Sequence, residues 1–296
     1  MTTATNAQSG AQAPGFYRFK LGDFTAIALH DGVITMDRPE GFVRNAGDAE
    51  VGEAFAACGM AQDKVTLTFN ALAIETDRGV VLIDTGVGEG ARPAAGQLLA
   101  NLAAAGHGPE DVTAVIISHF HGDHIGGLRR PDGSLVFPKA EVLVPQKEWD
   151  FWLGDAAALP EAAKSTAETA RKVLDGISNL RRYAWGEEIL PGFTAIDASG
   201  HTPGMSAIAI KSGEASLTFV ADITNNPLIF ARHAEWQLMF DMDGDRSVAT
   251  RRRLLDHAAA EKQRLFFFHA PFPATGTVIK TAIGYDFIPA LWTAGV

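Results

Sequence analysis

Cysteine is almost missing from this chain of 296 residues: Cys58 stands alone, so an internal disulfide is excluded and nothing marks an oxidising compartment. A lone cysteine of this kind is expected to be a small buried hydrophobe, not a nucleophile. No apolar run approaches the roughly 20 residues that a membrane-spanning helix needs, so no membrane partner is expected. Cationic residues are outnumbered, 25 Lys and Arg against 35 Asp and Glu, and the net charge is −10. Binding to a phosphate backbone relies on a basic surface, so nucleic acid is not an expected partner either. The start, MTTATNAQSGAQAPG, has neither a basic segment nor an apolar one. Residues 1–15 therefore read as a flexible tail, and a cytoplasmic protein is expected. A glycine-rich phosphate loop is missing, and GMSA around Ser206 lacks the glycines of a nucleophile elbow.

What the chain does have is 47% hydrophobic and 20% charged residues, enough for a substantial core, and residues 16–296 read as one domain. FTAIALHDG and LTFNALAIETDRGVVLIDTG read as antiparallel strands, the latter pair turning at TDRG. Leu98, Leu99 and Leu102 have helical spacing and stop at Gly106, and residues 112–117 are apolar and β-branched enough for a central, buried strand. The stretch 160–182 places Val173, Leu174, Ile177 and Leu180 on one helical face. A charged helix around ATRRRLLDHAAAEKQ precedes the strand RLFFF. Strands and helices in this mixed order predict an α/β (α+β) fold with two sheets and helices outside them.

Histidine is the informative residue. Of nine in the chain, three fall in HFHGDH, where His119, His121 and His124 surround Asp123 directly after the apolar strand. Packing gives no reason for that spacing, whereas convergence on a metal ion does, and catalytic zinc sites use three protein ligands with a position left for water. Strand ends along one edge of a sandwich lie close together, so further ligands are sought directly after buried-looking strands. That filter returns His201 in FTAIDASGHTPG, Asp222 in SLTFVADIT and His269 in RLFFFHAPF. His30, His107, His233 and His257 receive no role.

With HFHGDH, GHTPG, the strand-end Asp222, HAPFP and the upstream LIDTG in place, the chain resembles the HxHxDH hydrolases of the metallo-β-lactamase fold from about residue 16 onward. PGFYRFKLGDF, KEWDFWLG and FFFHAPFPATG are similar to segments of the methyl parathion hydrolase group. The resemblance implies a four-layer αβ/βα sandwich of two mixed sheets and two divalent metal ions, with zinc expected and manganese, cobalt or iron as alternatives. It assigns His119, His121 and His201 to one ion and Asp123, His124 and His269 to the other. Asp222 would bridge them, Asp84 would orient the ligand loop from behind, and the protein would be a homodimer.

Two such ions, about 3.5–4 Å apart, would hold a hydroxide and polarise an ester oxygen. Asp222 and Asp123 are then the expected catalytic carboxylates, Asp123 as a candidate acid for the leaving group. Trp149, Phe151 and Trp152 are expected to line the substrate pocket, because the group places an aromatic at the position resembling Trp152. An aromatic mouth suits neutral, hydrophobic phosphotriesters or aryl esters. A lactonase is the rival reading, although DITNNPL lacks the tyrosine that acyl-homoserine lactonases often place shortly after the bridging aspartate. A metal-binding protein without activity is the alternative from another class.

Overall fold

In the computed structural model, which describes residues 12–294, the chain builds two seven-stranded sheets. The first contains, in spatial and sequence order, β1 (Phe16–Leu21), β2 (Phe24–Asp37), β3 (Lys64–Thr76), β4 (Gly79–Ile83), β5 (Val112–Ile116), β6 (Glu141–Pro145) and β7 (Leu180–Tyr183). The second contains β8 (Glu188–Leu190), β9 (Phe193–Asp197), β10 (Ser206–Ser212), β11 (Ala215–Phe219), β12 (Arg264–Phe266), β13 (Thr275–Lys280) and β14 (Tyr285–Pro289), again side by side in sequence order. Both sheets are mixed. β1 to β4 pair antiparallel and β4 to β7 parallel, while in the second sheet only β11 and β12 run parallel.

Strand alternation decides which face each side chain serves. Leu72, Ile74, Ile83 and Ile116 point between the sheets and meet Ile208, Ile210, Leu217 and Phe219 there. Their neighbours in sequence, Ala71, Ala73, Leu82 and Val115, point outward under helices that bring Leu98, Leu102, Ala167 and Ala170. Helix Gly244–Ala260 covers the second sheet with Leu254, Leu255 and Ala258. The result is the helix–sheet–sheet–helix layering of the metallo-β-lactamase fold.

Three expectations need correction or a boundary. The helix foreseen over 160–182 runs only from Lys164 to Leu174, because Asp175 turns extended and Gly176 sits at φ +64; Ile177 lies in the turn and Leu180 opens β7. Cys58 is half-buried at the end of helix Asp48–Ala57, where its Sγ donates to the Leu228 carbonyl at 3.3 Å. Residues 1–11 of the expected tail lie outside the described residues, and Gly15 is held, its N–H donating to Asn101 Oδ1 at 2.7 Å.

One buried cation organises the loops under the second sheet. Arg251 is fully buried and donates to the carbonyls of Ile223 (2.5 Å), Ala234 (3.1 Å) and Trp236 (2.7 Å), with Asp241 Oδ2 at 3.6 Å. Removing it takes the donor from three carbonyls and the countercharge from a buried carboxylate. Arg251→Met is expected to lower unfolding stability by about 3–5 kcal/mol, the usual cost of breaking a buried pair from one side. Urea denaturation followed by circular dichroism checks this, and a loss below about 1 kcal/mol would mean that the site tolerates the change.

Candidate metal centre

Parallel neighbours end on the same edge of a sheet, and that edge is where the chemistry collects. Asp84 directly follows β4 and His119 lies three residues past β5; Asp222 and His269 lie three residues past β11 and β12. His201 sits on the loop between β9 and β10. Asp84 and Ala221 both take positive φ, 59 and 48, so two of these strand ends turn through the left-handed region that L side chains rarely occupy.

The side chains converge in two triads that share a wall. His119 Nε2 lies 3.1 Å from His121 Nδ1, and His201 Nε2 lies 2.9 Å from that same atom. His124 Nε2 and His269 Nε2 stand 3.7 and 3.4 Å from Asp123 Oδ2. Asp222 is in between, with Oδ1 at 3.2 Å from His124 Nε2 and Oδ2 at 3.0 Å from His269 Nε2 and 3.5 Å from His201 Nε2. His119, His121 and His201 form one set whose ligand atoms are all mutually within 4.8 Å; Asp123, His124 and His269 form a second; and His119, His124 and Asp222 link the two.

The surroundings fix which nitrogen each ring presents. His124 Nδ1 faces Asp84 Oδ2 at 2.7 Å, His201 Nδ1 faces Asp241 Oδ1 at 3.1 Å, and His269 Nδ1 faces the Thr68 carbonyl at 2.8 Å. Carboxylates and carbonyls only accept, so each Nδ1 carries the proton and each Nε2 lone pair points inward. His119 is set the same way. Ser118 Oγ donates to Asp84 Oδ2 at 2.7 Å and is left to accept from His119 Nδ1 at 3.0 Å. His121 alone turns Nδ1 inward.

Electrostatics agree with a cationic occupant. Burial, then the charges of His124 and other imidazoles, hold His119 well below its ordinary value; burial and His201 push His121 down to about 3, so both rings are neutral donors. Burial opposes charge on His124 and His269 as well, yet the carboxylates of Asp222 and Asp123 outweigh it and raise both. Asp222, itself lowered by His269 and His124 against its own burial, thus draws positive charge to this spot. A divalent ion can replace those protons. His124 Nε2 and Asp222 Oδ1 are sealed from solvent and, although 3.2 Å apart, make no well-directed hydrogen bond, so a metal ion would satisfy both. The donor set of imidazoles and carboxylates fits two divalent ions of the zinc kind.

Two residues missed in the sequence hold the ligand loops. Glu148, fully buried, accepts from the backbone N–H of Phe120 (3.1 Å) and of Gly204 (2.7 Å) and from Trp152 Nε1 (2.6 Å), tying the His119–His121 turn to the His201 loop. Gly204 has no room for a side chain, since a Cβ would stand 2.2 Å from the Glu148 nitrogen. Asp241 links His201 to Arg251. The only signal for Glu148 was an acid inside an aromatic run, KEWDFWLG; Asp241 lay in the acidic FDMDGD, where no strand-end filter looks.

The cavity over the triads measures about 820 Å³ and is walled by His121, Asp123, His201, Asp222 and His269, with Ile34, Met36, Leu67, Phe69 and Phe240 above them. Trp149, Phe151 and Trp152 are not in this wall. Helix Gln146–Trp152 turns Glu148 and Trp152, four residues apart, to the inside, so Trp152 is 1% exposed and packs in the core. Its ring stands 6.1 Å from His121 and edges a side cavity of about 370 Å³. Phe151 packs edge-on against Trp152, while Trp149 lies under the Arg182 guanidinium.

The model of the metallo-beta-lactamase superfamily matches residues 69–269, well over half of the chain, and the chain belongs to that superfamily. An N-acyl homoserine lactonase from a Bacillus species is 27% identical over 222 residues, covering 66% of this chain and 78% of its own length. Among solved structures, the dizinc quorum-quenching lactonase AidC is 30% identical with a TM-score of 0.86, over 94% of this chain and 98% of that one. The hydrolase AbOPH of the beta lactamase superfamily is 27% identical with a TM-score of 0.89, over 96% of this chain and all of that one, 100%. The protein is a metal-dependent hydrolase that cleaves ester bonds.

Asp84→Asn tests the outer ring. Asparagine tolerates the positive φ and still accepts from His124, but it lacks the charge that supports that ligand. One of two zinc ions is expected to bind about 10–100-fold more weakly. Competition against a fluorescent chelator reads this directly, and a titration identical to that of the unmodified protein would remove Asp84 from the metal's support.

Proposed function

We propose that this enzyme opens lactone rings, N-acyl homoserine lactones in the first place, at a centre where two divalent ions would be held by the two His/Asp triads and Asp222. The observation that carries the reading is the pair of His/Asp triads sharing one carboxylate under a mostly apolar cavity. The lactonase relatives support it over the phosphotriester and aryl ester reading, for which the sequence offered segments resembling methyl parathion hydrolase and the expectation of an aromatic mouth at Trp149, Phe151 and Trp152.

His119, His121 and His201 would hold one ion and Asp123, His124 and His269 the other. Two divalent cations supply Lewis acidity toward the ester carbonyl and an acidified water. Ile34, Met36, Leu67 and Phe69 receive the apolar acyl part and keep bulk water from the reacting ester. Water adds its oxygen to the carbonyl carbon, the ring C–O bond breaks, and the proton passes to the departing alkoxide. Asp123, partly exposed at the cavity wall, would carry that proton.

The reading treats residues 16–296 as one catalytic domain, supported by ligands that come from both sheets. Two expectations belong with it: a cytoplasmic location and a homodimer. Among the described residues no helix is long and apolar enough to cross a membrane. Ile279 and Ile288, exposed on one face of the β13–β14 edge hairpin, support a covered surface there.

Purified, zinc-loaded protein assayed with N-hexanoyl homoserine lactone, 4-nitrophenyl acetate, paraoxon and a cephalosporin is expected to give the highest kcat/KM on the lactone and the lowest on the cephalosporin. A phosphotriester as best substrate would return the enzyme to the methyl parathion hydrolase group. In the same assay Asp222→Ala is expected to lose at least about a hundredfold in kcat with an unchanged circular dichroism spectrum, since it removes a carboxylate that would hold the ions but no side chain of the hydrophobic core. Near-normal turnover would reduce Asp222 to a turn residue.

A further inference from the structure

Native folds leave few buried hydrogen-bonding groups unused, so each one calls for a partner. Among the described residues, five side-chain polar atoms are sealed without one. His124 Nε2 and Asp222 Oδ1 face the metal positions. Of the other three, on Thr202, Thr224 and Asn225, only Asn225 belongs to a residue that lines the cavity over the triads. Asn225 is 4% exposed and its carboxamide oxygen meets no donor.

The position of this amide is fixed at both ends of a short loop. Three residues before it stands Asp222; directly after it Asn226 caps the helix Pro227–Phe230, its side chain accepting from the Leu228 N–H at 3.0 Å. A carboxamide offers two donors and an acceptor together, the complement of a secondary amide, which has one N–H and one C=O. A plain lactone or an aryl ester brings acceptors only and would leave the Asn225 oxygen desolvated and unpaired.

We propose that Asn225 selects the substrate: its side-chain amide pairs with the exocyclic amide of an N-acylated lactone and so favours that class over lactones without the amide. The assignment rests on the lactonase reading above. A site built around a hydrogen bond discriminates strongly against the analogue that lacks the partner.

The test compares kcat/KM for N-hexanoyl homoserine lactone and for γ-caprolactone, which has the ring but no amide, in zinc-loaded wild type, Asn225→Ala and the near-isosteric Asn225→Leu. Wild type is expected to prefer the N-acylated lactone by tenfold or more. Both variants are expected to lose most of that preference through the N-acylated substrate, with KM rising more than kcat falls and with zinc content and circular dichroism unchanged. A preference equal to wild type in both variants overturns the role of Asn225 while leaving the lactonase reading intact. A wild type that opens neither lactone overturns the lactonase reading and this selection with it.

Discussion

Everything at the centre of this protein turns on a single carboxylate that has no room to be alone. Asp222 is buried within 3.5 Å of nitrogens from His124, His201 and His269, which arrive on three separate loops. An isolated carboxylate in such a place would be costly, and so would five imidazoles crowded around it. The two problems solve each other when positive charge occupies the space between them. The sandwich exists in part to bring the C-terminal ends of β5, β11 and β12 and the β9–β10 loop to one edge, so that this charge balance can be assembled.

A ring of outer acceptors gives the site its direction. Asp84, Asp241, the Thr68 carbonyl and Ser118 each take the Nδ1 proton of one histidine and thereby turn four Nε2 lone pairs inward. The ring is anchored in turn. Asp241 leans on the buried Arg251, Glu148 holds the backbone of two ligand loops, and Asn70 grips the carbonyls of Phe268 and Ala270 on either side of His269 at 2.9 and 2.8 Å. Ligand geometry of this kind needs no bound ion to define it, because each ring is already oriented by neighbours that the fold fixes.

The sequence exposed the part of this that is local or that repeats a rule. HFHGDH stands out because its candidate ligands fall within six residues, and Asp222 and His269 because each closely follows an apolar strand, while His201 lies farther out on the β9–β10 loop and still joins the same cluster. The layered fold followed from strand and helix patterns over most of the chain. What stayed hidden depends on contacts between distant segments. Glu148 reads as one more surface acid until Phe120 and Gly204 are seen to share it. Trp152 reads as part of the substrate wall, whereas the helical period turns it, with Glu148, inward, leaving it at the edge of a side cavity beside His121. The helix expected through Leu180 stops at Leu174 because Gly176 redirects the chain, and apolar spacing alone does not register that turn. Asn225 is invisible in the same way, since being unpartnered is a property of its surroundings.

Crystals of zinc-loaded protein, with anomalous scattering recorded on both sides of the zinc absorption edge, test the central claim most directly. The account predicts two peaks per chain about 3.5–4 Å apart, one against His119, His121 and His201, the other against Asp123, His124 and His269, with Asp222 oxygens reaching both. A single peak in fully loaded protein, or a pair that Asp222 does not bridge, would contradict it.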